Sequence, residues 1–151
     1  MLDAVEAGLA VCDVLIMAAA VADWKPAVVS PQKMKKAGAS STLDLVRTPD
    51  ILQTILPLKG GKIFVGFAAE TENLHQEARR KLAAKQLDLI VANDVSRVDA
   101  GFEVDTNQVI LFTPDGLSRE LPLMDKAAVA DEIMAWVESA YKSSAALKSG
   151  I

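Results

Sequence analysis

Short apolar runs alternating with amphipathic segments constrain the fold of this chain more than any other feature. The runs Val14–Ala22, Ile63–Phe67 and Leu89–Ala92 contain only apolar or small residues, a pattern typical of strands buried on both faces. Apolar residues recur at helical spacing over Leu2–Val11 and Glu72–Gln86. Strands and helices alternating in this way predict an α/β fold, with a mostly parallel sheet flanked by helices.

The stretch Ala22–Ser41 predicts a long loop, because it contains Pro26, Pro31 and Gly38 and follows no clear period. Loops of this length within compact domains are usually functional or disordered. We predict that Pro26–Ser41 forms a lid that is mobile without ligand and orders over a bound nucleotide. A short strand, Leu43–Leu45, is predicted to follow it.

The second half of the chain predicts further elements and a tail. A helix N-capped by Thr48 is predicted to start at Pro49 and to end near Leu58. Val109–Phe112 and Leu117–Leu121 are predicted to form an antiparallel hairpin. A last helix capped by Asp125 and a polar, frayed tail over residues 143–151 are predicted to follow. No internal repeat or linker interrupts this pattern, so residues 1–142 are predicted to form one domain.

Composition excludes several classes of function. The chain has 16 basic and 20 acidic residues and a net charge of −4, whereas general nucleic-acid or membrane-surface binders need a basic excess. Cys12 is the single cysteine and His75 the single histidine, so neither an internal disulfide nor a zinc site is expected. We expect Cys12 to be buried, His75 to be exposed, and the protein to be cytosolic.

Polar or small residues follow each of the three apolar runs. Asp23 follows the first run, Glu70 the second, and Asn93 the third. The carboxyl ends of parallel strands meet at one edge of a sheet, where ligands of open α/β sheets bind. The sequence therefore predicts a ligand cleft at this edge.

Two groups of lysines indicate that the ligand is an anion. Lys33, Lys35 and Lys36 lie in the long loop, and Lys81 and Lys85 are spaced to emerge on one face of a helix. The alternative for both groups is a solvated surface, which is the commoner role of lysine. Arg79 and Arg80 are interpreted as surface charge.

Taken together, these segments resemble a known family. The matching motifs are AAAVADW (18–24), SPQKMKK (30–36), TPDIL (48–52), VGFAAET (65–71), LIVANDVS (89–96) and GFEVDTNQVILF (101–112). In this order they resemble the ligase domain of bacterial phosphopantothenoylcysteine synthetase, the carboxyl-terminal half of the bifunctional coenzyme A flavoprotein. No G-x-G-x-x-G fingerprint is present, which argues against a nicotinamide-dependent oxidoreductase.

The resemblance implies a Rossmann-like ligase that uses CTP and Mg²⁺ to activate 4′-phosphopantothenate as an acyl-cytidylate, which cysteine then attacks. It implies no protein-bound metal site, a homodimer, and a flavin-dependent decarboxylase, either fused or separate. Lys33 is the implied catalytic residue. The implied nucleotide contacts are Met17, Ala18, Ala19, Asp23, Lys33, Pro49, Asp50, Ile51, Leu52, Phe67, Lys81 and Lys85.

The sequence departs from the family pattern at its front. The family carries an earlier Gly-rich turn, and then a segment whose asparagine is assigned to the acyl-cytidylate, and neither has a counterpart here. We expect a chain without them to bind CTP weakly and to ligate poorly. The alternative function is a nucleotide-binding or assembly module without ligase activity.

Overall fold

The computed structural model describes residues 1–33, 42–70, 72–94 and 105–148. The elements in chain order are α1 (Leu2–Leu9), β1 (Val14–Met17), β2 (Trp24–Pro26), β3 (Leu45–Arg47), α2 (Ile51–Ile55) with a 3₁₀ turn (Leu56–Leu58), β4 (Ile63–Glu70), α3 (Leu74–Ala84), β5 (Leu89–Asp94), β6 (Thr106–Asn107), β7 (Val109–Phe112), β8 (Ser118–Glu120), β9 (Met124–Asp125) and α4 (Lys126–Lys148).

A five-stranded sheet in the order β1-β4-β5-β7-β8 forms the centre of the fold. Strands β1, β4 and β5 are parallel, whereas β7 runs antiparallel to β5 and pairs with β8 in the predicted hairpin. Two small antiparallel pairs, β2 with β3 and β6 with β9, lie outside this sheet. The predicted α/β class, with a mostly parallel sheet and an appended hairpin, is confirmed.

Side chains alternate between two cores, one on each face of the sheet. Phe64 and Ile90 pack on one face with apolar residues of α1, α2 and α3. Val65 and Val91, their neighbours in sequence, pack on the other face with residues of α4. Because successive residues of a strand point to opposite faces, the apolar runs of β4 and β5 each supply both cores.

Asp88 fixes the start of the β4–β5 pairing. Its carboxylate accepts a hydrogen bond from the Phe64 backbone N–H at 2.7 Å, and its own backbone N–H donates to the Phe64 carbonyl oxygen at 2.9 Å. Lys59 neutralises the same carboxylate, with Nζ 3.0 Å from Oδ2. These contacts support the register in which Val65 lies opposite Leu89.

The first apolar run differs from the prediction. Strand β1 covers only Val14–Met17, and its residues are half-buried or exposed instead of buried on both faces. In the described part of the chain β1 pairs with β4 alone, so an edge position explains the exposure. Residues 18–23 belong to no strand.

The predicted long loop contains a strand. Trp24–Pro26 forms β2 and pairs with Leu45–Arg47, which is two residues beyond the predicted Leu43–Leu45 strand. The Arg47 guanidinium lies 5.2 Å from the centre of the Trp24 ring, a contact that a single-strand pattern does not reveal. Residues 34–41, which include much of the predicted lid, lie outside the described residues.

Two predictions of helix ends, at Thr48 and in the tail, are wrong. Helix α2 is N-capped by Asp50 and not by Thr48, because the Thr48 hydroxyl donates to the Ala22 carbonyl oxygen instead. Asp125, the last residue of β9, directly precedes α4 and so occupies the predicted N-cap position. Helix α4 continues through residue 143 to Lys148, so the predicted frayed tail is helical over 143–148, and residues 149–151 lie outside the described residues.

No helix in the described ranges is both long and apolar enough to cross a membrane.

Substitution of Gly66 tests how tightly the sheet packs against Leu87, which follows α3. A Cβ at this position would lie 2.6 Å from Cδ1 of Leu87, which is itself buried, whereas a Cβ at Gly8 in α1 would meet nothing within 4 Å. We expect Gly66→Ala to lower the free energy of unfolding by about 1–3 kcal/mol through overpacking. Gly8→Ala is the matched control and should raise it by about 0.5–1 kcal/mol, through helix propensity. Urea unfolding measures both, and an unchanged midpoint for Gly66→Ala would contradict this packing.

Candidate functional site

The carboxyl ends of β1 and β4 create the edge on which the candidate site is built. Met17, the last residue of β1, lies opposite Gly66, so β4 continues to Glu70 without a neighbour from β1. The chain after Met17 leaves the sheet through Ala18, Ala19 and Ala20. Small side chains here leave room beside the exposed end of β4, which is where parallel α/β sheets accept ligands.

One cavity at this edge, which we call the charged cleft, has a volume of about 470 Å³. It lies between the ends of β1 and β4, the start of α2, and the face of α3. Its lining residues are Met17, Ala19, Ala20, Val21, Asp23, Pro49, Asp50, Ile51, Leu52, Phe67, Ala68, Ala69, Arg80, Lys81, Ala84 and Lys85.

The two lysines that line the charged cleft each form an ion pair. Nζ of Lys81 is 2.5 Å from Oε1 of Glu70, and Nζ of Lys85 is 3.1 Å from Oδ2 of Asp50. Both lysine side chains are about one third exposed or less, so their stems are packed while their ammonium groups border the cavity. The prediction that Lys81 and Lys85 emerge together on one face of α3 agrees with this geometry.

Arg80 is a cleft residue that the sequence analysis assigned to the surface. It lines the cavity beside Lys81, and its guanidinium binds Glu77 one turn earlier, with Nη2 2.7 Å from Oε2. The hydrogen bond from Arg80 lowers the pKa of Glu77 and raises that of Arg80. The one sequence feature that could have indicated a cleft position for Arg80 was its place next to Lys81 on a predicted helix.

Arg79 points away from the cleft. Its Nη1 donates to the Gly116 carbonyl oxygen at 3.0 Å, and its guanidinium lies 5.1 Å from the centre of the Phe112 ring. His75 is exposed, as predicted, and contacts the same ring edge-on at 5.2 Å. These residues connect α3 to the hairpin and take no part in the cleft.

A second cavity, which we call the apolar pocket, has a volume of about 380 Å³. It adjoins the charged cleft along Ala19, Ala20 and residues 67–69, which border both cavities. The rest of its lining is Ala18, Asn93, Asn107, Val109, Lys126, Val129, Ala130 and Ile133. Oδ1 of Asn93 is buried and has no hydrogen-bond partner among the residues that the structure describes.

Most of the nucleotide contacts implied by the resemblance lie together in the charged cleft. Ala18 lines the apolar pocket instead. Lys33 is exposed and lines neither cavity. Lys35, Lys36, Thr71 and residues 95–104 lie outside the described residues, so their relation to the cleft stays a prediction.

Metal-binding side chains do not cluster in the described ranges, where no group of three or more His, Cys, Asp or Glu residues could hold an ion. Asp23 lines the charged cleft and forms no ion pair with any described residue. A lone carboxylate beside two lysine pairs can contribute one ligand to an ion that a phosphate already holds.

A comparison of the sequence with protein families identifies the fold. Residues 1–141 match the family described as the DNA/pantothenate metabolism flavoprotein C-terminal domain. The chain belongs to this family. The match covers nearly the whole sequence, and it confirms the resemblance on which the site residues were assigned.

Curated relatives in the family are bifunctional coenzyme A biosynthesis proteins. The CoaBC protein of Bacillus subtilis (strain 168) is 53% identical over 122 residues, which cover 81% of this chain and 30% of that protein. The CoaBC protein of Escherichia coli (strain K12) is 40% identical over 142 residues, which cover 91% of this chain and 35% of that protein. The chain thus spans about a third of the length of these relatives.

A solved structure gives the same family. The crystal structure of the C-terminal domain of a coenzyme A biosynthesis bifunctional protein CoaBC superposes with a TM-score of 0.75 at 36% identity, covering 94% of this chain and 61% of that one. The sheet and flanking helices described above are therefore those of the flavoprotein C-terminal domain.

Substitutions at Asp50 can separate the stabilising effect of the helix cap from that of the ion pair in the cleft. Its carboxylate accepts a hydrogen bond from the Gln53 backbone N–H at 3.2 Å and pairs with Lys85. We expect Asp50→Ala to lower the free energy of unfolding by about 0.5–2 kcal/mol, because the N-cap is lost. Asp50→Ser keeps a capping oxygen and loses the half-exposed ion pair, so it should stay within about 1 kcal/mol of the unsubstituted chain. Thermal unfolding of both variants tests this, and equal losses would mean that the ion pair matters more than the cap.

Proposed function

We propose that this chain forms the nucleotide-binding part of a CTP-dependent phosphopantothenate–cysteine ligase acting in coenzyme A biosynthesis. Membership of the flavoprotein C-terminal domain family supports the pathway, as do relatives named for coenzyme A biosynthesis. The ligase reaction and the use of CTP come from the motif resemblance.

The convergence of the assigned residues on one cleft carries the proposal. Met17 ends the first strand, Asp50 precedes a helix, and Lys85 directly follows a later helix, yet all of them line the charged cleft. Residues scattered along the sequence meet at the carboxyl edge of the sheet, which is where a Rossmann-like fold binds a nucleotide.

The proposed reaction has two steps. The carboxylate of 4′-phosphopantothenate attacks the α-phosphate of CTP, forming an acyl-cytidylate and releasing pyrophosphate. The amino group of cysteine then attacks the acyl carbon, and CMP leaves. Both steps depend on holding the reacting groups in line, because correct positioning can supply about 7–11 kcal/mol of the barrier.

Lys81, Lys85 and Arg80 are proposed to bind the triphosphate. All three border the cleft, and charged N–H donors form strong hydrogen bonds with phosphate oxygens. The amino end of α2 is a weaker candidate, because the Asp50 carboxylate already caps it. Phe67 is 41% exposed at the cleft and offers an apolar surface to the base or ribose.

Mg²⁺ fits this cleft as an ion carried by the triphosphate. Magnesium commonly binds through one or two carboxylates together with substrate phosphates, and Asp23 is the cleft residue that could add such a ligand. When bound, the ion would neutralise phosphate charge, while the lysines orient the triphosphate.

Lys33 is proposed to stabilise the charge that develops at the α-phosphate. It lines neither cavity in this structure, so this role requires the segment after β2 to move toward the nucleotide. A lid that closes on binding would produce such a movement.

Nucleotide preference tests the assignment directly. We expect calorimetric titration with CTP and with ATP, each with Mg²⁺, to show tighter binding of CTP. The motifs AVADW and GFAAET, which supply much of the cleft wall, match the bacterial CTP-dependent pattern. Equal or tighter binding of ATP would contradict the CTP assignment.

Substitution of the lysines tests whether they contact the phosphate groups of the nucleotide or are only surface charge. We expect Lys33→Ala and Lys81→Ala to weaken CTP binding by about 1.5–3 kcal/mol, the value of one charge-assisted contact, and to affect CMP binding less. Lys142→Ala is the matched control, because Lys142 lies on α4 and pairs with Glu138 far from the cleft residues in sequence. Unchanged CTP affinity in both cleft variants would show that these lysines are only solvated surface charge.

A further inference from the structure

Thr48 connects two segments that line the charged cleft. Residues 19–23 supply one of them and residues 49–52 the other, and Thr48 directly precedes the second. The Thr48 hydroxyl donates to the Ala22 carbonyl oxygen at 2.5 Å, and the Thr48 backbone N–H donates to the Asp23 carbonyl oxygen at 2.9 Å. These two hydrogen bonds join parts of the cleft that are 26 positions apart in the sequence.

The local sequence explains why Thr48 can make both hydrogen bonds. A residue that precedes proline is biased toward extended backbone, so Thr48 continues the line of β3 and does not enter α2. Strand β3 pairs antiparallel with β2, with Arg47 opposite Trp24. The next position along each strand is Thr48 on one side and Asp23 on the other, which accounts for the backbone hydrogen bond between them.

The segment that Thr48 holds has little else to fix it. Residues 18–23 belong to no strand, and all of them are exposed. Few buried apolar contacts make a segment easy to displace, so hydrogen bonds have a larger share in fixing this one. Asp23 lies in this segment and lines the charged cleft, so the place of its carboxylate depends on the Thr48 contacts.

We propose that the Thr48 hydroxyl is a positioning group of the nucleotide site, which holds Ala22 and Asp23 beside the start of α2 so that the Asp23 carboxylate meets the phosphates bound in the cleft. This inference rests on the proposed CTP site and adds to it a residue that lines neither cavity. A cleft wall that is already in place spares the nucleotide the cost of ordering it. The hydroxyl therefore contributes to affinity without contacting the ligand.

Removal of the hydroxyl alone is the first test. Thr48→Val keeps the branched side chain and the backbone N–H, but it leaves the Ala22 carbonyl oxygen without the hydroxyl donor. We expect CTP binding with Mg²⁺ to weaken about fivefold, the effect of one lost hydrogen bond. CMP lacks the outer phosphates, so its binding without Mg²⁺ should change less than about twofold. Calorimetric titration of the whole chain measures both, and retained CMP binding shows that the variant is folded.

Two matched variants separate loss of the hydroxyl from other effects of substitution. Thr48→Ser keeps the hydroxyl, so it should bind CTP within about twofold of the unsubstituted chain. Thr113→Val removes the hydroxyl of another half-buried threonine, which donates to Asp115 in the turn between β7 and β8 and does not line the charged cleft. Thr113→Val should leave CTP binding unchanged.

Coupling between Thr48 and Asp23 is the second test. Asp23→Asn removes the negative charge but keeps the backbone carbonyl oxygen that Thr48 binds. If the hydroxyl acts through the Asp23 carboxylate, then adding Thr48→Val to Asp23→Asn should weaken CTP binding by less than about a further twofold. A general loosening of the fold would instead reduce binding in the double variant by the full product of the two single effects.

Several results would overturn the inference. They are unchanged CTP affinity in Thr48→Val, equal losses in Thr48→Val and Thr48→Ser, equal weakening of CTP and CMP, and full additivity with Asp23→Asn. In each of these cases the unsubstituted chain still binds CTP, so the proposed function stands. Failure of the unsubstituted chain to bind CTP would contradict the proposed function, and this inference with it.

Discussion

The parallel pairing of β4 with β5 is the constraint on which the rest of the structure depends. It begins at the Asp88 bridge, where one carboxylate receives the Phe64 backbone N–H and the Lys59 ammonium. From there the register runs to Glu70 opposite Asp94. Because β1 stops at Met17, the last part of β4 has a neighbouring strand on one side only among the described residues. Both cavities form at that open flank.

Strand alternation then divides the edge into two chemical environments. Glu70 lies on the face of β4 toward α3 and forms an ion pair with Lys81. The charged side chains therefore lie on this side of the sheet. Phe67 and Asn93 lie toward α4, so the other side is enclosed by alkyl groups. Residues 67–69 border both cavities, so the two environments are in contact.

Local pattern predicted the elements whose stability comes from burial. The runs at Ile63 and Leu89 predicted β4 and β5, and helical spacing predicted α3, because core formation and sequence period agree there. It failed where tertiary contacts decide the outcome. Thr48 has a good capping side chain, yet it bonds Ala22 across 26 positions of sequence, and Asp50 caps α2 instead. Strand β2 was missed because its pairing with β3 depends on a partner about 20 residues away.

Prediction of the site residues also succeeded where local sequence carried the information and failed where tertiary contacts decided the outcome. Family motifs and the rule for strand ends brought Met17, Asp23 and Lys81 to one cleft and placed Asn93 at the same edge, but neither could assign Arg80. Arg80 was indistinguishable from its neighbour Arg79 until the helix was oriented, and an unpartnered oxygen such as Oδ1 of Asn93 is a property of packing alone.

The two ion pairs of the cleft have a further consequence. Since Lys81 and Lys85 are already neutralised by carboxylates, an incoming anion must exchange partners with them, and its gain is only the difference between two pairings. A small anion that displaces one carboxylate gains little, whereas a polyphosphate that reaches both lysines at once benefits from its own multivalency. The cleft can thereby discriminate by the length of a phosphate chain as well as by charge.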